Sequence, residues 1–437
     1  MKTIKFVLPL VSLLAALPLQ ASATSILTGD LANLTVFADT YATTGANTKV
    51  YGNVLSGGVA TTGAGTAIAG FVESIGATNI GASIVGGSQT LVSVSKYVLS
   101  GGVATTGDGA IVAGNVTASG AATIGANSKI GGDVVTGGVG TAGANAVITG
   151  NFSAWGAATE GANARIGGSL KSSGIATVGA NATVGGSVAA AGAAVISTSA
   201  NVAGTVSSIV PSSLQLQLSP TLLPVAATVT SSVTAEITSY VKSVAAQVLN
   251  AQTMLSAMGT GTAITTPVIG NLMLKAGVYS APSLSTTAGT TLTLDGQNLD
   301  NQSWVFNITD ILALGGTTNV QLINAGSNSS VVWNVDSGYA SVGAGANILG
   351  TIFAKNYISV GAYATVTGTG TSCGGVFSQT SYVSTGDTSV IGGQGCGTPT
   401  AVVPDTNVPE PATLALLGLG FLGFTASRYK PAKRNNA

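Results

Sequence analysis

Residues 120–191 consist of four successive 18-residue units: GAATIGANSKIGGDVVTG (120–137), GVGTAGANAVITGNFSAW (138–155), GAATEGANARIGGSLKSS (156–173) and GIATVGANATVGGSVAAA (174–191). Within each unit, short alternating segments are separated by glycine-rich corners, where glycine adopts positive φ without steric cost. A fixed internal period of this length indicates a solenoid in which each unit forms one coil. The stretch therefore predicts an all-β, three-sided parallel β-helix in which each side takes six residues.

The period extends beyond these four units. Gly-Ala-Asn already occurs at 45–47, an insertion near Ser88–Tyr97 shifts the phase, and pairs 18 residues apart return at Val342/Val360 and Gly343/Gly361. One aliphatic column is regular: Val112, Ile130, Ile148, Ile166, Val184 and Val202. We expect this column and the alanines at 104, 122, 158 and 176 to fill a narrow core. Coils should stack about 4.8 Å apart, and the period leaves handedness open.

A segment of different character follows the repeats. From about Val229 to Met258 the chain contains no glycine or proline. Its apolar residues recur at helical spacing: Val233, Ile237, Val241, Ala245, Val248 and Leu255. This pattern predicts an amphipathic helix of about 25–30 residues. It would pack on the flank of the solenoid or serve as a coiled-coil partner, and the few heptads and missing flanking charges disfavour the coiled coil.

The composition excludes several classes of function. The chain of 437 residues has no histidine and only 6% charged residues. It therefore cannot use a Ser-His-Asp or Cys-His mechanism or form a His-ligated zinc site. Residues 24–407 carry 8 basic and 13 acidic residues, a net charge of −5, which argues against nucleic-acid binding. Because the acids do not repeat with the coils, we predict a protein that is not an enzyme and has no catalytic residues, cofactor or metal.

Both ends of the chain resemble targeting signals. Residues 1–23 have Lys2 and Lys5, an apolar run and an Ala21-Ser22-Ala23 cleavage site, which predicts a signal peptide rather than a membrane anchor. At the other end, Pro409-Glu410-Pro411 is followed by the apolar stretch 412–426 and by four basic residues. This tail resembles the PEP-CTERM sorting signal of Gram-negative bacteria. The resemblance implies a transient inner-membrane anchor that an exosortase cleaves during export to the cell surface or extracellular matrix, with Pro409, Glu410 and Pro411 as the sorting motif.

The two cysteines lie late in the chain, at Cys373 and Cys396. An even number of cysteines in an exported protein favours one disulfide over two free thiols. Such a bond would close a loop of about two dozen residues and stabilise the fold by roughly 3 kcal/mol.

The C-terminal region carries a longer set of recognisable motifs. In order, they are Ala276-Gly277-Val278-Tyr279, the segments LTLDG (292–296), WVFNI (304–308) and VVWNV (331–335), and GTIFA (350–354). Preceded by the predicted helix, this succession resembles the bacterial ice-binding β-helix family over about 220–370, and Leu34–Val54 resembles that family's opening coil. The resemblance implies a right-handed, three-faced β-helix with the long helix alongside. The regular coils at 100–208 depart from the family and leave the position of an ice-binding face open.

One column of the repeat has the character of an ice-binding surface, which should be flat, regular and free of charge. The column consists of Thr105, Thr123, Thr141, Thr159 and Thr177. Its neighbours are also uncharged: Val103, Ala121, Val139, Ala157 and Ile175. Threonine has a stiff χ1, so the hydroxyls would stay in register. Threonine also stacks well on any parallel strand, however, so the column could reflect β-propensity alone.

Other columns are weaker candidates. Glu160 stands beside Thr159 and by the alternation should face inward; otherwise the strand is shifted or the face is misassigned. Thr351, Ser359, Thr365 and Thr367 form a second candidate surface in the C-terminal coils. Lys129, Arg165 and Lys171 are expected together on a charged, solvated face. The asparagines at 127, 145, 163 and 181 are expected to form a structural corner ladder.

These observations predict a secreted or surface-delivered ice-binding protein that adsorbs through a flat solenoid face. The alternative is a cell-surface or biofilm-matrix scaffold without affinity for ice. The expected partners are an ice or water surface and an exosortase-type processing enzyme. The open end of the solenoid is an exposed strand edge, which allows self-association. The predicted organisation is a signal peptide (1–23), solenoid repeats (24–208), a linker with the helix (209–260), C-terminal coils (261–397), a linker (398–407) and the sorting tail (408–437).

Overall fold

Short parallel strands stack in three ladders, and each ladder forms one face of a solenoid. The computed structural model describes residues 29–83, 93–208, 224–369 and 373–393, which all lie within one compact unit, Met1–Gly397. Successive strands of a coil belong to successive faces, so each coil runs once around the core. The predicted three-sided parallel β-solenoid is confirmed.

We name the first ladder the helix face, because the long helix covers part of it. Its strands are Leu34–Ala38, Asn53–Ser56, Val72–Ser74, Val98–Ser100, Val116–Ala118, Val134–Thr136, Phe152–Ala154, Leu170–Ser172, Val188–Ala190, Val206–Ser208, Thr262–Ala263, Ser330–Val335, Thr351–Ala354 and Gly375–Ser378. Two long strands, Gly277–Thr286 and Ser303–Leu314, begin on this face and continue around the corner onto the next.

The second ladder contains the predicted threonine column and is named the threonine face. Its strands are Tyr41–Thr44, Val59–Thr62, Thr78–Ile80, Ala104–Thr106, Ala122–Ile124, Gly140–Ala142, Ala158–Glu160, Ala176–Val178, Ala194–Ile196, Val268–Ile269, Tyr339–Val342, Ile358–Val360 and Val383–Thr385. The remaining strands form the third face: Lys49–Val50, Ala67–Ile68, Ser93–Val94, Ile111–Val112, Lys129–Ile130, Val147–Ile148, Arg165–Ile166, Thr183–Val184, Asn201–Val202, Leu272–Lys275, Thr291–Leu299, Asn319–Ala325, Asn347–Leu349, Thr365–Thr367 and Val390–Ile391.

The core is a stack of inward-facing columns. The predicted aliphatic column is buried from Val112 to Val184, and Ala104, Ala122, Ala158 and Ala176 are buried as expected. Gly140 interrupts the alanine column because Phe152 fills its place. A Cβ at Gly140 would lie 2.6 Å from Phe152 Cε2, closer than van der Waals contact allows. The large and the small residue therefore compensate each other at constant core volume.

The order of coils in space differs from their order in the sequence. The first coil, at 34–50, stacks directly on the last, at 375–391, and we call this junction the seam. Phe37 pairs with Phe377, Thr43 with Ser384, and Lys49 with Val390, one pair on each face. The described strands between Leu34 and Ser208 and between Thr262 and Ile391 thus form one continuous solenoid. Its two ends are formed by strands near Ser208 and near Thr262.

The long helix of the described residues, α1 (Pro224–Ser256), lies on the helix face and spans the seam. Proline is favoured in the first helical turn, where its missing N–H is not needed. The residues of α1 buried against the solenoid are Val233, Ile237, Val241, Val244, Val248, Ala251 and Leu255. Val244 occupies the position in the stripe that the sequence pattern gave to Ala245, which packs at its edge. The helix therefore belongs to its own solenoid and is not a coiled-coil partner.

Polar side chains fix the C-terminal end of α1. Asn307 Nδ2 donates to the carbonyl of Leu255 at 2.8 Å, and Asn334 Nδ2 donates to Ser256 Oγ at 3.1 Å. From the helix, buried Gln252 donates to the carbonyl of Val335 at 3.1 Å. Since the last carbonyls of a helix lack partners within it, the contact from Asn307 satisfies one of them, and the other two hold the helix end through its side chains. The asparagines of the WVFNI and VVWNV motifs thus act as a clamp on the helix.

Several predicted features lie outside the described residues: the signal peptide, the first part of the insertion near Ser88–Tyr97, the linker before the helix, Cys396, the linker at 398–407 and the whole sorting tail. Cys373 is disulfide-bonded, and Cys396 is the only other cysteine in the chain. Among the described helices, none is long and apolar enough to cross a membrane.

Candidate functional site

The predicted threonine column exists and is in register. Thr105 pairs with Thr123, Thr123 with Thr141, Thr141 with Thr159, and Thr159 with Thr177. The residues on either side of each threonine are inward-facing and buried, so the threonine side chains point outward. Within the described residues, their hydroxyls have no protein hydrogen-bond partner. The column therefore presents one methyl and one free hydroxyl per coil, about 4.8 Å apart.

The column continues well beyond the five predicted residues. Past Thr177 it ends at Val195, and in the other direction it passes through Asn79 to Thr61 and Thr43. Across the seam it runs on through the C-terminal coils as Ser384, Ser359, Ser341, Ala313, Ser285 and Val268. Every residue in this outward column is small and uncharged. The threonine face thus extends without interruption over both parts of the sequence.

A second column runs beside the first, two residues earlier in each coil. In the regular coils it is apolar and open to solvent: Val103 is 42% exposed, Val139 49% and Ile175 49%, with Ala121 and Ala157 between them. Near the seam it consists of tyrosines whose rings stack one on another. Tyr339 stacks on Tyr357 at 4.6 Å, Tyr357 on Tyr382 at 5.1 Å, and Tyr382 on Tyr41 at 4.6 Å. The outward surface of the threonine face therefore alternates hydroxyl and apolar rows.

Glu160 does not disturb this surface, because its side chain points into the core. Glu160 pairs in register with Ala142 on one side and with Val178 on the other. The residue is 1% exposed. Neither carboxylate oxygen has a hydrogen-bond partner in the described part of the chain. Burial raises the pKa of Glu160 to about 8, so the group is mostly protonated and neutral at pH 7. The face assignment from the alternation was therefore right.

The second predicted surface does not form. Thr351 is fully buried on the helix face, while Thr365 and Thr367 lie on the third face, where Thr365 Oγ1 donates to Asn347 Oδ1 at 3.0 Å. Only Ser359 lies on the threonine face. The prediction failed because it grouped uncharged strand residues without assigning each strand to a face.

The remaining columns have structural roles or carry charge. Asn127, Asn145, Asn163 and Asn181 have φ of 55–57° at a corner, a region that asparagine tolerates better than most residues. Asn145 Nδ2 donates to Asn127 Oδ1 at 3.1 Å, as expected for a corner ladder. Lys129, Arg165 and Lys171 were predicted to share one face. Lys129 and Arg165 do lie together on the third face, but Lys171 lies on the helix face.

The extension of the threonine face was missed at Thr43, Thr61, Ser341 and Ser384. Thr43 and Thr61 are 18 residues apart, as are Ser341 and Ser359, so the period itself marked these pairs. No sequence signal marks the contact of Thr43 with Ser384, because those residues meet only across the seam. Within the described residues, no group of three acids or cysteines is placed to hold a metal ion.

The fold and the site define a β-solenoid with one long, regular, uncharged face. The family model described as ice-binding-like matches residues 170–391, about half of the chain. The chain belongs to the ice-binding-like family. The match begins within the regular coils and ends at the seam, so it is longer at both ends than the motifs indicate. A second model, the PEP-CTERM protein-sorting motif, matches residues 407–428 and confirms the sorting tail.

Solved structures with similarity to the chain include three ice-binding proteins. That of the Antarctic ascomycete Antarctomyces psychrotrophicus is 20% identical, with 51% of this chain and 92% of that chain covered and a TM-score of 0.30. The domain from Shewanella frigidimarina ice-binding protein 1 is 20% identical, with 53% and 92% covered and a TM-score of 0.31. That of an Antarctic Flavobacteriaceae bacterium is 15% identical, with 82% and 96% covered and a TM-score of 0.27. No curated protein matches the chain.

Proposed function

We propose that the protein adsorbs to ice through its threonine face, and that the coils from Val98 to Val202 make the main contact. The observation that carries this proposal is the unbroken, in-register column from Thr105 to Thr177 beside exposed Val103, Val139 and Ile175. Family membership supports ice as the ligand, and the regular, uncharged geometry of the threonine face supports this choice of surface.

The physical argument concerns ordered water. Hydroxyls repeating every 4.8 Å or so, each next to an apolar group, can hold water at regular intervals without a strongly hydrated charge that would keep it liquid-like. The backbone ladders hold the spacing fixed, so little entropy is lost when water and ice bind. The neutral state of Glu160 keeps charge from beneath this surface. Ice growing between adsorbed molecules must curve, and that curvature opposes further growth and recrystallisation.

This mechanism requires no chemistry, and we propose that the protein is not an enzyme. The chain lacks histidine, and the buried acids Glu73 and Glu160 lie on different faces of the solenoid. The sorting motif supports a route in which an exosortase removes the tail after transient anchoring in the inner membrane of a Gram-negative bacterium. The mature solenoid would then act at the cell surface or in the extracellular matrix.

The decisive experiment measures inhibition of ice recrystallisation by residues 24–407, which include every described strand and helix. The test variant changes Thr123, Thr141 and Thr159 to lysine. We expect at least about a tenfold rise in the concentration needed for inhibition, equivalent to about 1.4 kcal/mol of lost adsorption free energy.

A matched control introduces three lysines on the third face, at Ile111, Val147 and Thr183, in the column that already contains Lys129 and Arg165. The control should inhibit like wild type, and circular dichroism should show the same β-rich fold in all three proteins. If the control loses as much activity as the test variant, the threonine face is not the ice-binding surface. If wild type itself does not inhibit, the protein is a scaffold rather than an ice-binding protein.

A further inference from the structure

Both ends of the described solenoid expose unpaired strand edges. At one end, Val206–Ser208, Ala194–Ile196 and Asn201–Val202 each have a neighbouring strand on one side only among the residues that the structure describes. At the other end, the same holds for Thr262–Ala263, Val268–Ile269 and Leu272–Lys275. Each end of the described solenoid therefore presents three free edges, one on each face. All six edge strands belong to ladders in which neighbouring strands are parallel.

The two ends also expose core positions. Val206 continues the inward column of Val188, which is fully buried, but is itself 50% exposed. At the opposite end, a cavity of about 350 Å³ is lined by Ile264, Leu272, Leu274 and Tyr279 among others. An inward-facing position that remains open to solvent is one that another coil would bury. Burial of such apolar surface is favourable, because it removes the surface from water.

The Val206 end has no charged residue among its described strands, and the end strands at the Thr262 end carry one, Lys275. The sequence has no charged residue between Lys171 and Glu236, and none between Lys242 and Lys275. Proteins that keep sheet edges apart commonly place lysine, proline or inward-pointing charges there, and solenoids usually end in polar capping repeats. Apart from Lys275, the charged residues of the described coils are found along the sides and corners of the solenoid, as Lys129, Arg165 and Asp133 illustrate.

The seam shows that coils of this protein stack without being consecutive in the chain. There, the backbone N–H of Lys49 donates to Ser389 at 2.9 Å and that of Tyr51 to Ile391 at 2.8 Å. A coil distant in sequence thus docks on a solenoid edge through ordinary parallel ladders. The same docking between two molecules would match the helix, threonine and third faces of one copy with those of the next.

We propose that the protein self-associates head to tail, with the Val206 end of one copy stacking on the Thr262 end of a second copy. The interface is heterologous, because the two surfaces in contact are different. Repetition of such a contact generates open filaments rather than closed dimers. Each junction would continue the threonine face from one copy to the next.

The test uses residues 24–407 with two single lysine variants, Val206→Lys and Thr262→Lys. Each substitution places a charge at an inward position of one end, where folding of the solenoid itself does not require an apolar residue. Val135→Lys, in the middle of the helix face, is the matched control. Sedimentation velocity over a wide concentration range gives the distribution of species, and circular dichroism checks the fold.

Wild type and Val135→Lys should form a concentration-dependent series of oligomers, and each end variant alone should remain monomeric. An equimolar mixture of the two end variants retains one compatible pair of ends and should form dimers and nothing larger. A wild type that stays monomeric at every concentration overturns the proposal and shows that the ends are covered within the chain. Dimers formed by either end variant alone, or oligomers insensitive to both, also overturn it.

Discussion

The threonine face has two halves, and the residues of both outward columns differ between them. In the regular coils the outward column is threonine, flanked by valine, isoleucine and alanine. In the C-terminal coils it is serine, flanked by stacked tyrosines. In the C-terminal coils, the corner between the helix face and the threonine face carries Asp310, Asp336 and Lys355. In the regular coils, the same corner has no charged residue, from residues 101–103 in the first of these coils to residues 191–193 in the last.

The two halves also differ in the size of their core residues. The C-terminal half has the large core residues Trp304, Phe306 and Trp333, and it receives the C-terminal end of α1. The regular half has a core of alanine and aliphatic residues, in which Phe152 is the large aromatic side chain. We infer a division of labour: the half that carries the family motifs supplies most of the stability, and the regular half supplies the flat surface. Four predictions test this inference.

The largest effect is expected for Trp333→Ala. Trp333 is fully buried, its Nε1 donates to the carbonyl of Leu349 at 2.9 Å, and its ring stacks on Phe306 at 4.1 Å. Its removal should cost about 3–5 kcal/mol of unfolding free energy, because it leaves a large cavity and an unsatisfied carbonyl. Urea denaturation measures this loss. Ile130→Val in the regular half should cost only about 0.5–1.5 kcal/mol. Equal losses at both sites would contradict the division of labour.

A smaller loss is expected for Gly140→Ala in the regular half. The new Cβ would collide with the Phe152 ring, so overpacking should cost about 1–3 kcal/mol. Adding Phe152→Val gives this coil the alanine and valine of its neighbours and should restore most of the lost stability. The same denaturation experiment on the single and double variants decides the matter. If the second substitution does not rescue the first, the two residues do not compensate each other.

The buried carboxyl predicts a pH dependence of the regular half. The folded-state pKa of Glu160 is raised to about 8 from an ordinary value of 4.5, so the protonated form is favoured by folding. Its contribution to stability is therefore complete below about pH 4.5 and is lost as the pH rises towards 8. Glu73, whose burial under α1 raises its pKa to about 7, titrates in the same range and supplies a similar trend.

The measurement is therefore a difference between two proteins. The thermal midpoint of wild type should fall relative to that of Glu160→Gln as the pH rises from 5 to 8, and the Glu73 contribution cancels. A constant difference across this range would show that Glu160 is already ionised in the folded state.

The smallest effect concerns the serine half of the threonine face. Changing Ser341, Ser359 and Ser384 to threonine adds one methyl per coil and prolongs the threonine column across the seam. The added apolar contact should improve inhibition of ice recrystallisation by about twofold. This gain is well below the effect that complete burial of three methyl groups would have, because the tyrosine row limits the access of ice to them. The matched change of Thr123, Thr141 and Thr159 to serine should weaken inhibition by more. If the two changes have equal and opposite effects, both halves contact ice alike.

Much of this architecture could be predicted from the sequence. Exact periodicity determined the coils, the inward column at Val112–Val184 and the threonine register, because each residue has an equivalent 18 positions away. The helix was predicted to within a few residues at either end, but Val244 replaced Ala245 in its buried stripe because its exact rotation depends on the surface beneath it.

The failures share one physical cause. Thr351, Thr365 and Thr367 were grouped by residue type, although a strand of the C-terminal coils can lie on any of three faces and irregular corners hide which one. Lys171 was likewise placed on the wrong face, since it lies six residues from Arg165 and therefore one side further round the coil. The seam could not be predicted, because long-range contacts such as Thr43 with Ser384 leave no periodic signal in a single sequence.

The seam also sets the order in which the molecule can be completed. The coil at 34–50 is synthesised and exported first, yet one of its edges stays open until residues 375–391 emerge and supply its partner. Contacts that close so large a loop are slow to form. During export, the regular coils can therefore fold progressively on the first coil's other edge, while α1 and the seam join last and lock the two halves together. Until residues 375–391 emerge, the growing chain would therefore expose an unpaired strand edge to which chaperones can bind.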